Sequence, residues 1–216
     1  FVRRHESDEF YQMIFRYYVM LILKYELVHM FFIEGGRNKS GGYSEPKTGI
    51  LRYILEGRKK HSISKDIIFI PVNISYDCVA ESSVVIGEND SGKSRSIFAS
   101  VGRYFQIKKL GNCYMNFGKP IHLSAFVKAY EYEREVANNL ASKIIADIKS
   151  LVIVSPTALM CYSLLNTNTI LTNDFKKAFL KNYESLKSAG KNVGHIELDK
   201  LHDYIGFAHD KGIIGL

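Results

Sequence analysis

The side chains best equipped for chemistry lie together in "FFIEGGRNKSGGYSEPKTG", Phe31 to Gly49. An apolar run ends in Glu34, two glycines and Arg37, with Lys39 close behind and Pro46-Lys47-Thr48-Gly49 closing the stretch. Gly35 and Gly36 would let a ligand approach backbone N–H groups that no side chain shields. Arg37 offers a planar fork matched to phosphate oxygens. Glu34 is placed either to hold that fork or to accept a hydroxyl. Two readings stand side by side: a phosphate-binding loop, or a tight turn with a surface ion pair.

Charge favours an anionic partner for this region. The chain of 216 residues carries a net +7, and Gly35 to Lys65 alone holds eight Lys/Arg against two Glu. Phosphate, nucleic acid and an acidic membrane surface all fit such a patch. Nucleic acid is set aside: the 14 tyrosines come without a nucleic-acid motif, and most aromatics sit in apolar runs that read as core. Cys78, Cys113 and Cys161 form no C-x-x-C pair, which argues against a zinc site or a disulfide frame and for buried, inert thiols.

The elements that would position the motif follow from hydrophobic pattern and turn residues. Asp8 can cap a helix running to about Glu26. Its uncharged stretch "YYVMLIL" falls far short of the roughly 20 apolar residues a membrane span needs, so a helix that is buried or lies along a membrane surface is expected, with burial favoured. "VHMFFI" reads as a buried strand ending at Glu34, which satisfies the rule that ligands of open α/β sheets bind beyond the carboxyl ends of strands. Thr48 and Gly49 open a second helix with basic residues in its last turn. "DIIFIPVNIS" reads as a strand covered on both faces, a helix is expected from about Arg95 to Lys109, and "CYMNFGKP" as a third strand. Strand and helix alternate to about residue 125, and then "EREVANNLASKIIADIK", "SPTALMCYSLLN", "TNDFKKAFLKNYESLKSAG" and "ELDKLHDYIGFA" all read helical. The expected fold is α/β, a mixed sheet flanked by helices over residues 1–127, followed by an α-helical region over residues 128–216.

Four stretches in order carry a resemblance. "FVRR" at Phe1 to Arg4, "FFIEGGR" with "PKTG" behind it, "IIFIPV" and "YMNFGKP" resemble successive motifs of the glycerol-3-phosphate acyltransferase family, in its bacterial membrane-bound form. The stretch from "NNLASKII" to "ALMCYSLL" is similar to that form's C-terminal region, so the likeness covers about four-fifths of the chain. The resemblance implies transfer of an acyl group from acyl-carrier protein (acyl-ACP) or acyl-CoA to the sn-1 hydroxyl of glycerol 3-phosphate. The product is lysophosphatidate, the first step of phospholipid synthesis, with no cofactor. It further implies that Arg3, Arg4, Glu34, Gly35, Gly36 and Arg37 bind the substrate, with Lys39 and Pro71 at the same site. Asn38-Lys39 stands where the family often has Ser-Arg, which keeps the charge but gives up the bidentate fork. The resemblance places such an enzyme peripherally on the cytoplasmic face of the inner membrane, where the basic stretch can rest on anionic headgroups.

The family's catalytic His-x4-Asp precedes the FVRR-like motif, and its histidine acts as general base on the substrate hydroxyl. No such pair stands there in residues 1–216, so this stretch alone is expected to be inactive. "HSISKD", His61 to Asp66, has the spacing but follows Glu-Gly-Gly-Arg and reads as a solvated loop. "GENDSGKS", Gly87 to Ser94, satisfies the P-loop pattern and supplies the alternative, a nucleotide-binding module with Lys93 on the phosphates and Ser94 on magnesium. Against it, no later apolar strand ends in an aspartate that could hold the magnesium: "LVIVSP" ends in Ser-Pro.

Overall fold

Helices and short strands interleave along the chain. The computed structural model describes residues 9–36, 42–77, 112–165, 172–196 and 201–210. The chain divides into two compact units, residues 1–71 with 118–150, and residues 72–117 with 151–216. Among the described residues the strands pair as three two-stranded sheets rather than one. The mixed helix-and-sheet character fits the α/β class at that level.

The first unit holds α1 (Glu9–Lys24), α2 (Gly49–Lys60), β1 (Ile68–Phe69), β4 (Ile121–His122), α3 (Leu123–Ala129) and α4 (Glu133–Ser150). Its core gathers Val19 from α1, Leu51, Ile54 and Leu55 from α2, and Leu140 and Ile144 from α4. The i, i+3, i+4 spacing of the three α2 residues puts one stripe of that helix inward. Helix α1 comes close to α2 at Gly57, where a β-carbon would lie 3.0 Å from Leu23 Cδ1 and 3.1 Å from Met20 Cγ. An ion pair between Arg16 and Glu56 joins the same two helices. Strands β1 and β4 pair antiparallel, Ile68 opposite His122 and Phe69 opposite Ile121.

Three expectations change here. Helix α1 is only half covered: Val19, Met20 and Ile22 are buried, whereas Phe10, Met13, Tyr17 and Tyr18 face outward. Aromatic residues are therefore spread between core and surface. The run "VHMFFI" is extended but unpaired. Its exposure alternates, with Val28 at 101%, Met30 at 82% and Phe32 at 71%, while His29 and Phe31 are half-buried and Ile33 is buried. That is strand periodicity, yet the N–H and C=O groups of residues 28–31 find no backbone partner among the described residues. The run "DIIFIPVNIS" is split at Ile70-Pro71, and Ile68 and Ile70 are more than half exposed beside buried Phe69. Phe31 meets Phe69 edge-on at a ring separation of 6.5 Å, so both runs turn their inward faces to the same helices. A strand is covered on both sides only when layers pack on both faces; here the core helices lie on one.

The second unit holds β2 (Val72–Tyr76), β3 (Cys113–Phe117), β5 (Ile153–Val154), α5 (Pro156–Leu165), α6 (Thr172–Ser188), β6 (Asn192–Val193) and α7 (Leu201–Asp210). Strands β2 and β3 form an antiparallel ladder from Val72↔Phe117 to Tyr76↔Cys113. Strands β5 and β6 pair in parallel. Leu159 and Met160 of α5 pack with Phe175 and Phe179 of α6, all fully buried. Ser155-Pro156 reads in sequence as an N-cap with proline at the first helical position, and α5 starts there: Ser155 Oγ accepts the Ala158 N–H at 3.2 Å. Gly190, at φ +67°, stands just past the end of α6. The helix expected over residues 95–109 lies outside the described residues.

Candidate functional site

The geometry at Glu34 to Gly36 is a closed turn at the end of an extended arm. Gly35 donates its N–H to Phe32 O at 2.9 Å and has φ +67°, a conformation that costs any residue with a β-carbon. Beyond the turn the chain returns alongside the arm's end, and Lys47 N–H donates to Ile33 O at 2.7 Å. The Ser44 N–H donates to Glu34 Oε2 at 2.6 Å, a charge-assisted bond that ties the loop's far side to its near side. The Lys149 ammonium of α4 lies 5.6 Å from the centre of the Tyr43 ring, a third tie on the returning segment. Helix α2 begins directly after Thr48, which makes no side-chain cap.

One bare peptide N–H, that of Gly36, is thus presented beside a fixed turn. A β-carbon at Gly36 would meet nothing within 4 Å, and its N–H has no partner among the described residues. Above Gly35 lies the aliphatic stem of Lys47, whose Cγ would be 3.1 Å from a β-carbon placed there. Lys47 is exposed and makes no ion pair among the described residues. Such a turn can accept an oxyanion on its backbone with a cation alongside.

The structure brings Glu34, Gly35 and Gly36 into this turn. Arg3, Arg4, Arg37 and Lys39 lie outside the described residues. Pro71 is buried, and its carbonyl accepts the Gly118 N–H at 2.8 Å. Lys47 was quoted in the sequence only as part of Pro-Lys-Thr-Gly. Its place over Gly35 depends on a loop closure that spacing does not reveal.

"HSISKD" is a loop with Ser62, Ser64, Lys65 and Asp66 exposed, as expected, but its aspartate is not idle. Asp66 Oδ1 accepts the Ser124 N–H at 2.9 Å, while Oδ2 accepts the Ser124 hydroxyl at 2.8 Å and lies 2.9 Å from His122 Nδ1. Burial by itself would raise the Asp66 carboxyl. The bonds from the Ser124 N–H and hydroxyl and from His122 outweigh it and hold the group below its usual range. His61 is not among these partners. Asp66 therefore ties the segment before β1 to the first turn of α3, and His-x4-Asp spacing here yields a cross-link to a different histidine.

The remaining candidates divide the same way. Cys113 is exposed and Cys161 half-buried, its thiol pushed up by burial, so the expectation of buried thiols fails for Cys113; Cys78 lies outside the described residues. The P-loop pattern from Gly87 to Ser94 also lies outside them. Among the described residues no three His, Cys, Asp or Glu side chains gather as a metal-binding group.

Comparison with known proteins agrees with the motifs. Residues 96–175 match the family model of the glycerol-3-phosphate acyltransferase C-terminal region. The chain is 33% identical over 143 residues to a glycerol-3-phosphate acyltransferase of Pseudoalteromonas atlantica, covering 65% of this chain and 18% of that protein. It is 28% identical over 193 residues to the protein so named in Pseudomonas fluorescens, covering 81% and 23%. A third, from Hamiltonella defensa, is 35% identical over 130 residues, covering 59% and 16%. The chain spans about a fifth of the length of these curated relatives.

Proposed function

We propose that this relative of the glycerol-3-phosphate acyltransferases forms the glycerol 3-phosphate-binding part of an enzyme that acylates the sn-1 hydroxyl of that substrate. The observation that carries the reading is the Glu34–Gly36 turn, closed at both ends and offering unshielded backbone. Phosphate oxygens would take the Gly36 N–H, with Arg37 as the principal side-chain ligand, Arg3 or Arg4 second, and Lys39 adding charge. A histidine from outside residues 1–216 then removes the proton of the sn-1 hydroxyl. The oxygen attacks the thioester carbonyl of acyl-ACP or acyl-CoA, the thiolate leaves, and lysophosphatidate is released. Residues 1–216 alone would bind without turnover.

The basic stretch supports a peripheral place on an anionic membrane surface, at the cytoplasmic face of the inner membrane. No helix among the described residues is long and apolar enough to cross a membrane. The test is Arg37→Ala in the complete protein. The expected outcome is a KM for glycerol 3-phosphate raised at least tenfold with the KM for the acyl donor little changed; equal effects on both would count against the assignment.

A further inference from the structure

We infer that Lys47 is a phosphate-binding residue of this site, with its stem laid over Gly35 and its ammonium beside the open Gly36 backbone, while Glu34 closes the loop instead of touching the substrate. The inference rests on the glycerol 3-phosphate reading above and adds a residue and a division of labour to it. Four observations converge. The Lys47 main chain is pinned next to the arm's end by its N–H bond to Ile33 O at 2.7 Å. Its stem occupies the space that a side chain at residue 35 would need, Cγ at 3.1 Å and Cβ at 3.7 Å from a β-carbon built there. Its side chain is exposed and bonded to no acid among the described residues. Glu34, the acid closest in sequence to the turn, has Oε2 committed to the Ser44 N–H at 2.6 Å.

A lysine on a free surface gives up much rotamer entropy when it binds an anion. Here the stem already lies over Gly35 on a main chain pinned to Ile33 O, so less is lost, and the ammonium acts as a point charge for a phosphate monoester. Glu34 keeps Ser44 and Lys47 at that place by bridging the base of the loop. A carboxylate so engaged is better suited to positioning than to accepting a substrate hydroxyl. The same ammonium chemistry would serve a free phosphate monoester or a lipid phosphate, and the experiment separates the two.

Glycerol 3-phosphate is titrated calorimetrically into residues 1–216, as wild type and as Lys47→Met, which keeps the stem and removes the charge, with Lys47→Gln as a second neutral variant. Parallel titrations use vesicles of phosphatidylglycerol. The expected result is binding of glycerol 3-phosphate weakened about tenfold or more in both neutral variants, partly restored in Lys47→Arg. Glu34→Gln, whose amide oxygen still accepts the Ser44 N–H, should lose less than Glu34→Ala. Wild-type affinity in both neutral variants overturns the inference. If Arg37→Ala then still weakens binding, the glycerol 3-phosphate reading survives without Lys47. If wild type binds no glycerol 3-phosphate, both fall. Loss of vesicle binding alone assigns Lys47 to the membrane and overturns the inference as well.

Discussion

Replacing Gly35 by alanine isolates what the turn requires. At φ +67° a residue with a β-carbon pays about 1–2 kcal/mol that glycine does not. The new methyl would also stand 3.1 Å from Lys47 Cγ, closer than ordinary contact, and the flexible lysine stem can move away at small further cost. The working figure is therefore the backbone term, about 1–2 kcal/mol, or roughly 5–30-fold in the population of the native turn. For unfolding, Gly36→Ala is the internal control, because a β-carbon there meets nothing and that residue is not among those with positive φ; its effect on stability should stay within about 0.5 kcal/mol, whereas its effect on binding is not a control, since the open Gly36 backbone is part of the proposed site. Gly35→Asn should recover part of the loss, since asparagine tolerates the left-handed region. The assay pairs glycerol 3-phosphate titration with urea unfolding, reading the midpoint at constant m. Equal unfolding behaviour of the Gly35 and Gly36 variants, or an asparagine as costly as the alanine, would refute the assignment of the turn.

Two further outcomes follow from the cross-link and the cap. The Asp66 carboxyl ionises below its usual range in the folded chain. Its stabilisation is therefore complete above the ordinary aspartate value and is lost as pH falls through the lower folded value. Asp66→Asn should lower the unfolding midpoint at neutral pH and flatten its decline below about pH 4; an unchanged acid limb would show that the bonds to Ser124 and His122 carry no stability. Ser155→Ala removes the oxygen that caps α5 and should destabilise the second unit by about 1 kcal/mol, measured as faster hydrogen exchange of the α5 amides; no change would mean that Pro156 and burial alone fix the helix start.

Much of the architecture was legible because it depends on local signals. The helices over 133–150, 172–188 and 201–210 follow from 3.6-residue periodicity, and the start of α5 from Ser-Pro, its body being apolar on every face. The turn at Glu34 was legible from a Gly-Gly pair after an apolar run. What failed was every statement about a second layer. Apolar continuity in "VHMFFI" and "DIIFIPVNIS" reports that a strand is hydrophobic, not that anything covers both faces. Val28 and Ile70 look the same in sequence as Ile33 and Phe69. The Asp66 cross-link was illegible for the opposite reason: its partners are 56 and 58 residues away in sequence, a pairing set by β1 lying against β4. Lys47 was hidden because its place depends on a loop folding back.

The exposed side of Val28, Met30 and Phe32, with peptide groups between them that find no backbone partner among the described residues, has a colloidal consequence. Such an edge is a template on which a second copy can add a strand. The opposing force is the chain's net charge of +7, which keeps copies apart only over the screening length, about 10 Å in 0.1 M salt and about 3 Å in 1 M. Ionic strength thus decides which force prevails, and this polypeptide should stay dispersed in dilute salt and self-associate as salt is added, the reverse of the usual remedy for a sticky basic protein.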